Sequence, residues 1–442
     1  MKKTTFLIVV FLALSLPLAL SPILYARFSY LSSKGLYVEE YLFSYQFSLT
    51  YYNRGNSSWT LSDADLAFPL FVNNDRQTVE LVWSSRPVAY EVLDADGNSW
   101  VVFKVGDRVL SPGENLTIMA TYKMAVRPGK PPKLSRAKSG TLNDIPGALK
   151  EEFCGPAACW QTDNEELREL AFNLSSGKEK VLDIVASFIS WICENIEYGT
   201  YELPRYPNET YEGRVGDCDD QANLLITLCR VVGIPAYLQI GCIYIAYYGR
   251  PTVFSGHMWS GHIIYTARNI AWHGWAVVYI PPWGWLPVDL TASEGIEEDP
   301  LNAIRNAIYW AWITVLCQEV KVVDYIAEAR EAREFLIENG IYIHEREELS
   351  FLGTRTVERP GALSDVWEAI GFYAILTACV IGVSTASVVL IIRRKGHASE
   401  GPEFPVPLVV ELEDAGVDAG PPGPYGYDEV PPVDRPGLGP GL

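Results

Sequence analysis

The sequence is short of positive charge. It carries 35 Lys and Arg against 54 Asp and Glu, a net charge of −19 over 442 residues. That balance argues against nucleic acid or anionic lipid as a main partner, because both need basic surface. Histidine is scarcer still, with five in all, so each one is weighed as a candidate base or ligand. Residues 37–127 hold neither His nor Cys. A structural or binding role is therefore the default for that region. Zinc-type ligand spacing is missing, and no cofactor motif occurs. Apolar residues are plentiful at 48%, which excludes a disordered chain. The length allows two or three domains, each able to bury its own core.

Two apolar runs stand near the ends. FLIVVFLALSLPLALSPILYA, residues 6–26, follows Lys2 and Lys3 and has no charge. A bilayer needs roughly 20 such residues, so this run reads as an N-terminal anchor or as a signal peptide with a small-residue exit near Ala26. VWEAIGFYAILTACVIGVSTASVVLII, residues 366–392, is followed at once by Arg393, Arg394 and Lys395. Basic residues stay on the cytoplasmic side. The expected topology is a cell-membrane protein with residues between the runs outside and the C-terminus inside. Sequons at Asn56, Asn115, Asn173 and Asn208 agree with an outside location and with glycosylation. Residues 393–442 are rich in Pro, Gly and acids and read as a disordered cytoplasmic tail.

Within the outside part, residues 30–127 read as a β-sandwich domain. Runs such as TVELVW, SWVVFKV and NLTIMATYKMAV are separated by turn signals at Asp96-Gly97-Asn98 and Ser111-Pro112-Gly113. Residues 128–145, proline-rich and basic, read as a linker. Residues 146–300 then show helical periodicity in NEELRELAFNL and KVLDIVASFISWICENI, followed by strand-like runs from 236 to 290. That order predicts an α+β domain, with a helical extension over 301–360.

The chemistry gathers at Cys218, in GDCDDQANLLITLCRVVGIPA. It is a candidate nucleophile, metal ligand, disulfide half or plain core residue. A helix start favours a thiolate, which needs a base and a group to orient that base. Downstream His257, His262 and His273 are the candidate bases. His273 begins one strand-like run and Asp289 ends the next, after Pro281-Pro282-Trp283-Gly284. Two adjacent antiparallel strands would bring them together. A metal site would instead use Cys218, Asp219, His257 and His262.

GDCDDQANLLITLCRVVGIPA followed by HGWAVVYIPPWGWLPVDLT resembles the core signature of the transglutaminase-like superfamily. The resemblance spans roughly residues 150–295 and implies a papain-like fold, with helices on an antiparallel sheet. By that resemblance Cys218 is the nucleophile, His273 the base and Asp289 its orienter, with no cofactor. It implies thiol acyl chemistry on peptide or amide bonds, resolved by water or by an amine, with hydrolysis slightly favoured. The oxyanion donor is left among the Cys218 backbone N–H, Tyr198 and Tyr211. The whole layout is similar to membrane-anchored archaeal surface proteins of this superfamily, acting on a protein or peptide substrate. A non-catalytic peptide- or envelope-binding module on the same fold is the alternative. Setting Cys218 and the in-span Cys379 aside leaves six cysteines, compatible with three disulfides; Cys154 and Cys159, in FCGPAAC, are the first candidates for a pair.

Overall fold

The computed structural model describes residues 36–157, 159–246, 251–311 and 313–358. Both apolar runs, 6–26 and 366–392, and the tail 393–442 lie outside the described residues. Among the described residues, no helix is long and apolar enough to cross a membrane. Residues Val38–Val357 form one compact unit.

The first part of that unit is all strand: β1 (Leu36–Asn53), β2 (Trp59–Thr60), β3 (Ala67–Pro69), β4 (Gln77–Ser84), β5 (Val88–Leu93), β6 (Ser99–Phe103), β7 (Val109–Leu110) and β8 (Asn115–Val126). β8 shows why: its residues alternate between exposed and buried along its whole length, the period of a half-buried strand. Helices follow: α1 (Gly147–Phe153), α2 (Glu165–Ser175) and α3 (Val181–Asn195). The short strand β9 (Glu197–Tyr198), helix α4 (Pro207–Gly213), strand β10 (Val215–Gly216) and helix α5 (Cys218–Val231) come next. Then come β11 (Ala236–Tyr244), β12 (Val253–Met258), β13 (Ile263–Arg268), β14 (Ile270–Ile280) and β15 (Gly284–Val288). Short helices α6 (Asn302–Arg305) and α7 (Ile308–Ala311), strand β16 (Thr314–Val320), helix α8 (Tyr325–Asn339) and strand β17 (Ile341–Glu358) complete it.

A four-stranded sheet, in the order β15-β14-β11-β16, backs the helices. Helix α5 is the centre of the α+β core. Every residue from Asp220 to Arg230 is buried, so the helix is enclosed all round rather than lying on a surface. Its apolar side, with Leu224, Leu225 and Leu228, joins the core made by α2, α3 and the sheet; each such side chain contributes about 1.5–3 kcal/mol. Its buried polar residues find bonds, as burial favours, although Asn223 Oδ1 and Arg230 NH1 meet no partner. Thr227 Oγ1 donates to the Asn223 carbonyl (2.9 Å) and Arg230 Nε to the Ala236 carbonyl (2.7 Å). Gly233, with φ 81°, ends the helix and lets Ile234 N–H reach back to the Cys229 carbonyl, the left-handed stop that favours glycine.

The boundaries of the β-rich part differ from expectation. A six-stranded sheet runs β12-β13-β17-β1-β8-β4, so three of its strands come from beyond residue 127. The aromatic insertion before His273 folds as the β12–β13 hairpin on that sheet, and β13 runs parallel to β17. Its apolar inner face packs on residues of β11 and β16, including Cys242, Val315 and Cys317. The stretch 301–360 is not a helical extension. It supplies an edge strand to the four-stranded sheet and a long strand to the other, with α8 between them. The reason is burial: residues Thr314–Cys317 are buried, and a continuous apolar run reads alike for a buried strand and a buried helix.

Strands β1 and β17 run antiparallel as a ribbon. Tyr52 lies against His344 (ring centroids 4.4 Å), Phe43 against Phe351 (5.4 Å) and Glu40 against Arg355 (2.7 Å). β8 stops at Val126, opposite Tyr41, so the ribbon carries on past it. Both ends of the body therefore leave at one corner.

Candidate active site

Cys218 is the first residue of α5, with Asp217 at its N-cap. The two-residue pairing of β9 with β10 sets Tyr198 opposite Gly216, just before it. Asp220 secures the turn: its Oδ1 accepts from Arg205 N–H (2.7 Å) and its Oδ2 from Asp217 N–H (3.4 Å). The free N–H groups of this helix start face the sulfur's end of the helix and favour negative charge there.

His273 enters from β14, and Ala276 on that strand pairs with Val288 on β15. Asp289 follows β15 directly, so the hairpin brings it back to His273. Asp289 Oδ1 lies 3.2 Å from His273 Nε2, a short contact without good hydrogen-bond alignment. Such geometry is common in catalytic pairs before substrate binds. The Cys218 thiol lies close enough to the imidazole for each to shift the other's ionisation. Asp289 is itself fixed from three sides. Its Oδ1 accepts from Thr291 N–H (3.2 Å) and Ala292 N–H (3.0 Å), and its Oδ2 from Ile308 N–H of α7 (3.1 Å). Trp275 forms a buried floor stacked on the His273 ring at 6.0 Å. Its indole N–H donates to Gln239 Oε1 (3.0 Å).

The charges form a graded set. Burial works against an imidazolium at His273, but the Asp289 charge and the close approach of Asp289 and Cys218 outweigh it and raise its pKa well above the ordinary range. Burial pushes Asp289 up, yet the His273 charge and its N–H donors bring it below the usual carboxylate value. Burial also pushes the Cys218 thiol up, and the His273 bond and charge pull it back, against the carboxylates of Asp219 and Asp217. Asp217 is driven to about 9 by burial and then by the charges of Asp219 and Asp220. Near neutral pH it is therefore mostly protonated and opposes the thiolate little. Asp219 lies closest, its Oδ1 3.9 Å from the sulfur.

Two residues that sequence reasoning missed hold Asp219. Tyr325 on α8 donates its hydroxyl to Asp219 Oδ2 (2.7 Å) and accepts from Asn223 Nδ2 (2.6 Å). Gly274, next to His273, lets β14 close on the helix start. A Cβ there would meet Asp219 Cβ at 2.8 Å. HGW in the sequence signalled a close approach, but nothing local pointed to Tyr325.

The other expected residues fall elsewhere. Tyr198 is beside the site: burial, then the Cys218 charge, pushes its phenol up. Tyr211 stacks on Trp191 (5.8 Å) within the helical layer. His257 sits exposed on the edge strand β12. His262 Nδ1 bonds the Ile341 carbonyl (2.8 Å), and its ring stacks on Tyr342 (4.2 Å). His344 packs on Tyr52, half-buried in β17. Asp217, Cys218 and Asp219 present donor atoms within 4.8 Å of one another, without His257 or His262. The disulfide expectation fails among the described residues: Cys154, Cys159, Cys193, Cys218, Cys229, Cys242 and Cys317 are all free thiols. Cys159, Cys229, Cys242 and Cys317 serve instead as buried core residues.

Residues 168–290 match the family model of the transglutaminase-like superfamily, a span that contains Cys218, His273 and Asp289. Among curated proteins, none matches the chain. Solved structures resemble it at low identity. A provisionally assigned cysteine protease from Cytophaga hutchinsonii is 16% identical over 74% of this chain and 97% of that one, with a TM-score of 0.44. The periplasmic domain of TgpA from Pseudomonas aeruginosa, bound to ethylmercury, is 15% identical over 60% of this chain and 96% of that one, with a TM-score of 0.28. Likeness at these scores carries no inference about activity.

Proposed function

We propose that this chain, with its transglutaminase-like domain at residues 168–290, is a membrane-anchored, extracytoplasmic thiol acyl-transfer enzyme acting on peptide or amide bonds. The reading rests on one observation: the Cys218 thiol, at a helix start, neighbours an imidazole that meets the buried Asp289 carboxylate at 3.2 Å. Cys218 as thiolate attacks the carbonyl carbon, and the C–N bond breaks as His273 gives its proton to the leaving nitrogen. An acyl-enzyme thioester remains. Water, deprotonated by His273, releases an acid; a primary amine would release a new amide. Hydrolysis is the favoured outcome because water is always at hand. Asp289 holds the ring in orientation and stabilises its charge. The Cys218 backbone N–H and the Tyr198 hydroxyl are the candidate oxyanion donors.

Anchoring is supported by the apolar runs at 6–26 and 366–392 and their basic flanks. It is also supported by the common corner from which both ends of the body leave.

The test is full-length protein incubated with a peptide-amide library, with and without a dansylated primary amine, and read by mass spectrometry. Loss of the amide nitrogen in wild type, absent in Cys218→Ala, is expected. Acid products mark hydrolysis and dansylated products mark transamidation. No Cys218-dependent product from any peptide would favour the non-catalytic binding module.

A further inference from the structure

A small cavity of about 70 Å³ opens near the corner where the β1–β17 ribbon leaves the sheet. Tyr41, Arg76, Arg127, Pro128 and Trp310 are among its walls. Three of the donors there meet no acceptor among the described residues: Arg76 Nε, Arg76 NH1 and Trp310 Nε1, all buried. An unmet buried donor is costly, and this cavity gathers three of them.

The Arg76 guanidinium is also without a carboxylate. It stacks on the Tyr309 ring of α7 at 3.6 Å, and the Tyr309 phenol is its one polar side-chain neighbour. Its second wall, Arg127, donates to the Asp75 carbonyl (2.7 Å) and pairs with Glu40 (2.8 Å). Gly129 lets the chain lie close to the Trp310 wall: a Cβ there would strike the Trp310 ring at 2.8 Å. The contrast with Arg230 is informative. That guanidinium is buried too, with NH1 unmet and an unmet Trp160 Nε1 on the ring stacked over it at 4.0 Å, yet backbone carbonyls take its Nε and NH2 groups. A planar guanidinium with free N–H groups, beside an indole N–H, is the donor set that suits a phosphate or carboxylate. Against the net charge of −19, this corner is locally cationic.

We propose that this cavity binds a phosphate-type oxyanion, held by Arg76 and the Trp310 N–H, with Arg127 as the flanking cation. The source is a free phosphate ion or the headgroup of a lipid.

The test uses the full chain in maltoside micelles, titrated calorimetrically with inorganic phosphate and, separately, with dihexanoyl-phosphatidylglycerol. Wild type, Arg76→Gln and Trp310→Phe are compared. Saturable binding of at least one probe is expected, weakened about 10- to 100-fold by Arg76→Gln and about 3- to 10-fold by Trp310→Phe. Binding of phosphate assigns a free ion; binding of the lipid alone assigns a headgroup. If Arg76→Gln does not fold, Arg76→Lys and Trp310→Phe carry the test, since both remove an N–H donor and keep bulk. No saturable binding of either probe to wild type, or binding that the folded variants leave unchanged, would overturn the proposal and leave the donors to water.

Discussion

At the scale of single residues, the site sets one imidazole against a ring of acids. Cys218, His273 and Asp289 were legible because each sits in a short motif and a hairpin joins the last two. Tyr325 was not, because it lies 106 residues from Asp219 in sequence and only the packing of α8 brings it in. The near-neutral state of Asp217 was also hidden, since its cause is burial and the neighbouring carboxylates. Gly274 marks how closely these parts fit. Gly274→Ala adds a Cβ 2.8 Å from Asp219 Cβ and must push the Cys218 helix start away from β14. Misplacement by about 1 Å can cost on the order of 100-fold in rate. We expect Gly274→Ala to lower turnover of a model peptide amide by at least about 10-fold, while thermal unfolding changes far less than the rate.

Elements explain how the β-rich part and the core are joined. β16 is an edge of the four-stranded sheet, and an open edge is a row of unmet N–H and C=O groups. Side chains from the first 100 residues close it. Gln77 donates to the Leu316 carbonyl (2.6 Å) and accepts from Leu316 N–H (2.7 Å). Asn98 makes the same pair of bonds with Glu319, at 2.8 Å each. Asp96 takes Lys321 N–H (2.9 Å) and Val322 N–H (2.6 Å). Gln77→Leu keeps the bulk but leaves these backbone groups unmet, at a cost of about 1–3 kcal/mol, measurable as a lower midpoint in urea. Sequence showed the strands on either side of this seam but not the seam. Amide side chains that imitate a neighbouring strand have no periodicity, and β16 was hidden inside the aromatic run AIRNAIYWAWITVLC.

For the whole molecule, the shared six-stranded sheet predicts cooperative behaviour. Because β12, β13 and β17 complete a sheet begun by β1, β4 and β8, the body should unfold in one transition; two well-separated transitions would contradict this. The same seam carries a pH dependence. Glu345 is pushed to about 8 by burial and then by the Glu347 charge. An unfolded glutamate titrates near 4.5, so the folded state holds the extra proton. Stability from this group is full below about 4.5 and is lost as pH rises to about 8. Glu345→Gln removes that loss. We expect it to raise the Tm at pH 8.5 by a few degrees, on the order of 5 °C, and to leave the Tm near pH 4.5 almost unchanged. An equal shift at both values would show that the carboxyl does not titrate in this range.

The central claim is that Cys218 is a nucleophile whose ionisation depends on His273. It is tested most directly by the rate of iodoacetamide alkylation of Cys218, followed by mass spectrometry from pH 6 to 10 in wild type and His273→Ala. Only the thiolate reacts, so the rate must climb with pH. Burial places that rise above the ordinary thiol range, and removing the imidazolium moves it higher still. At pH 7.5 the account predicts alkylation at least about 10-fold slower in His273→Ala, the equivalent of one unit in thiol pKa. Equal rates in the two proteins across the whole range would contradict it.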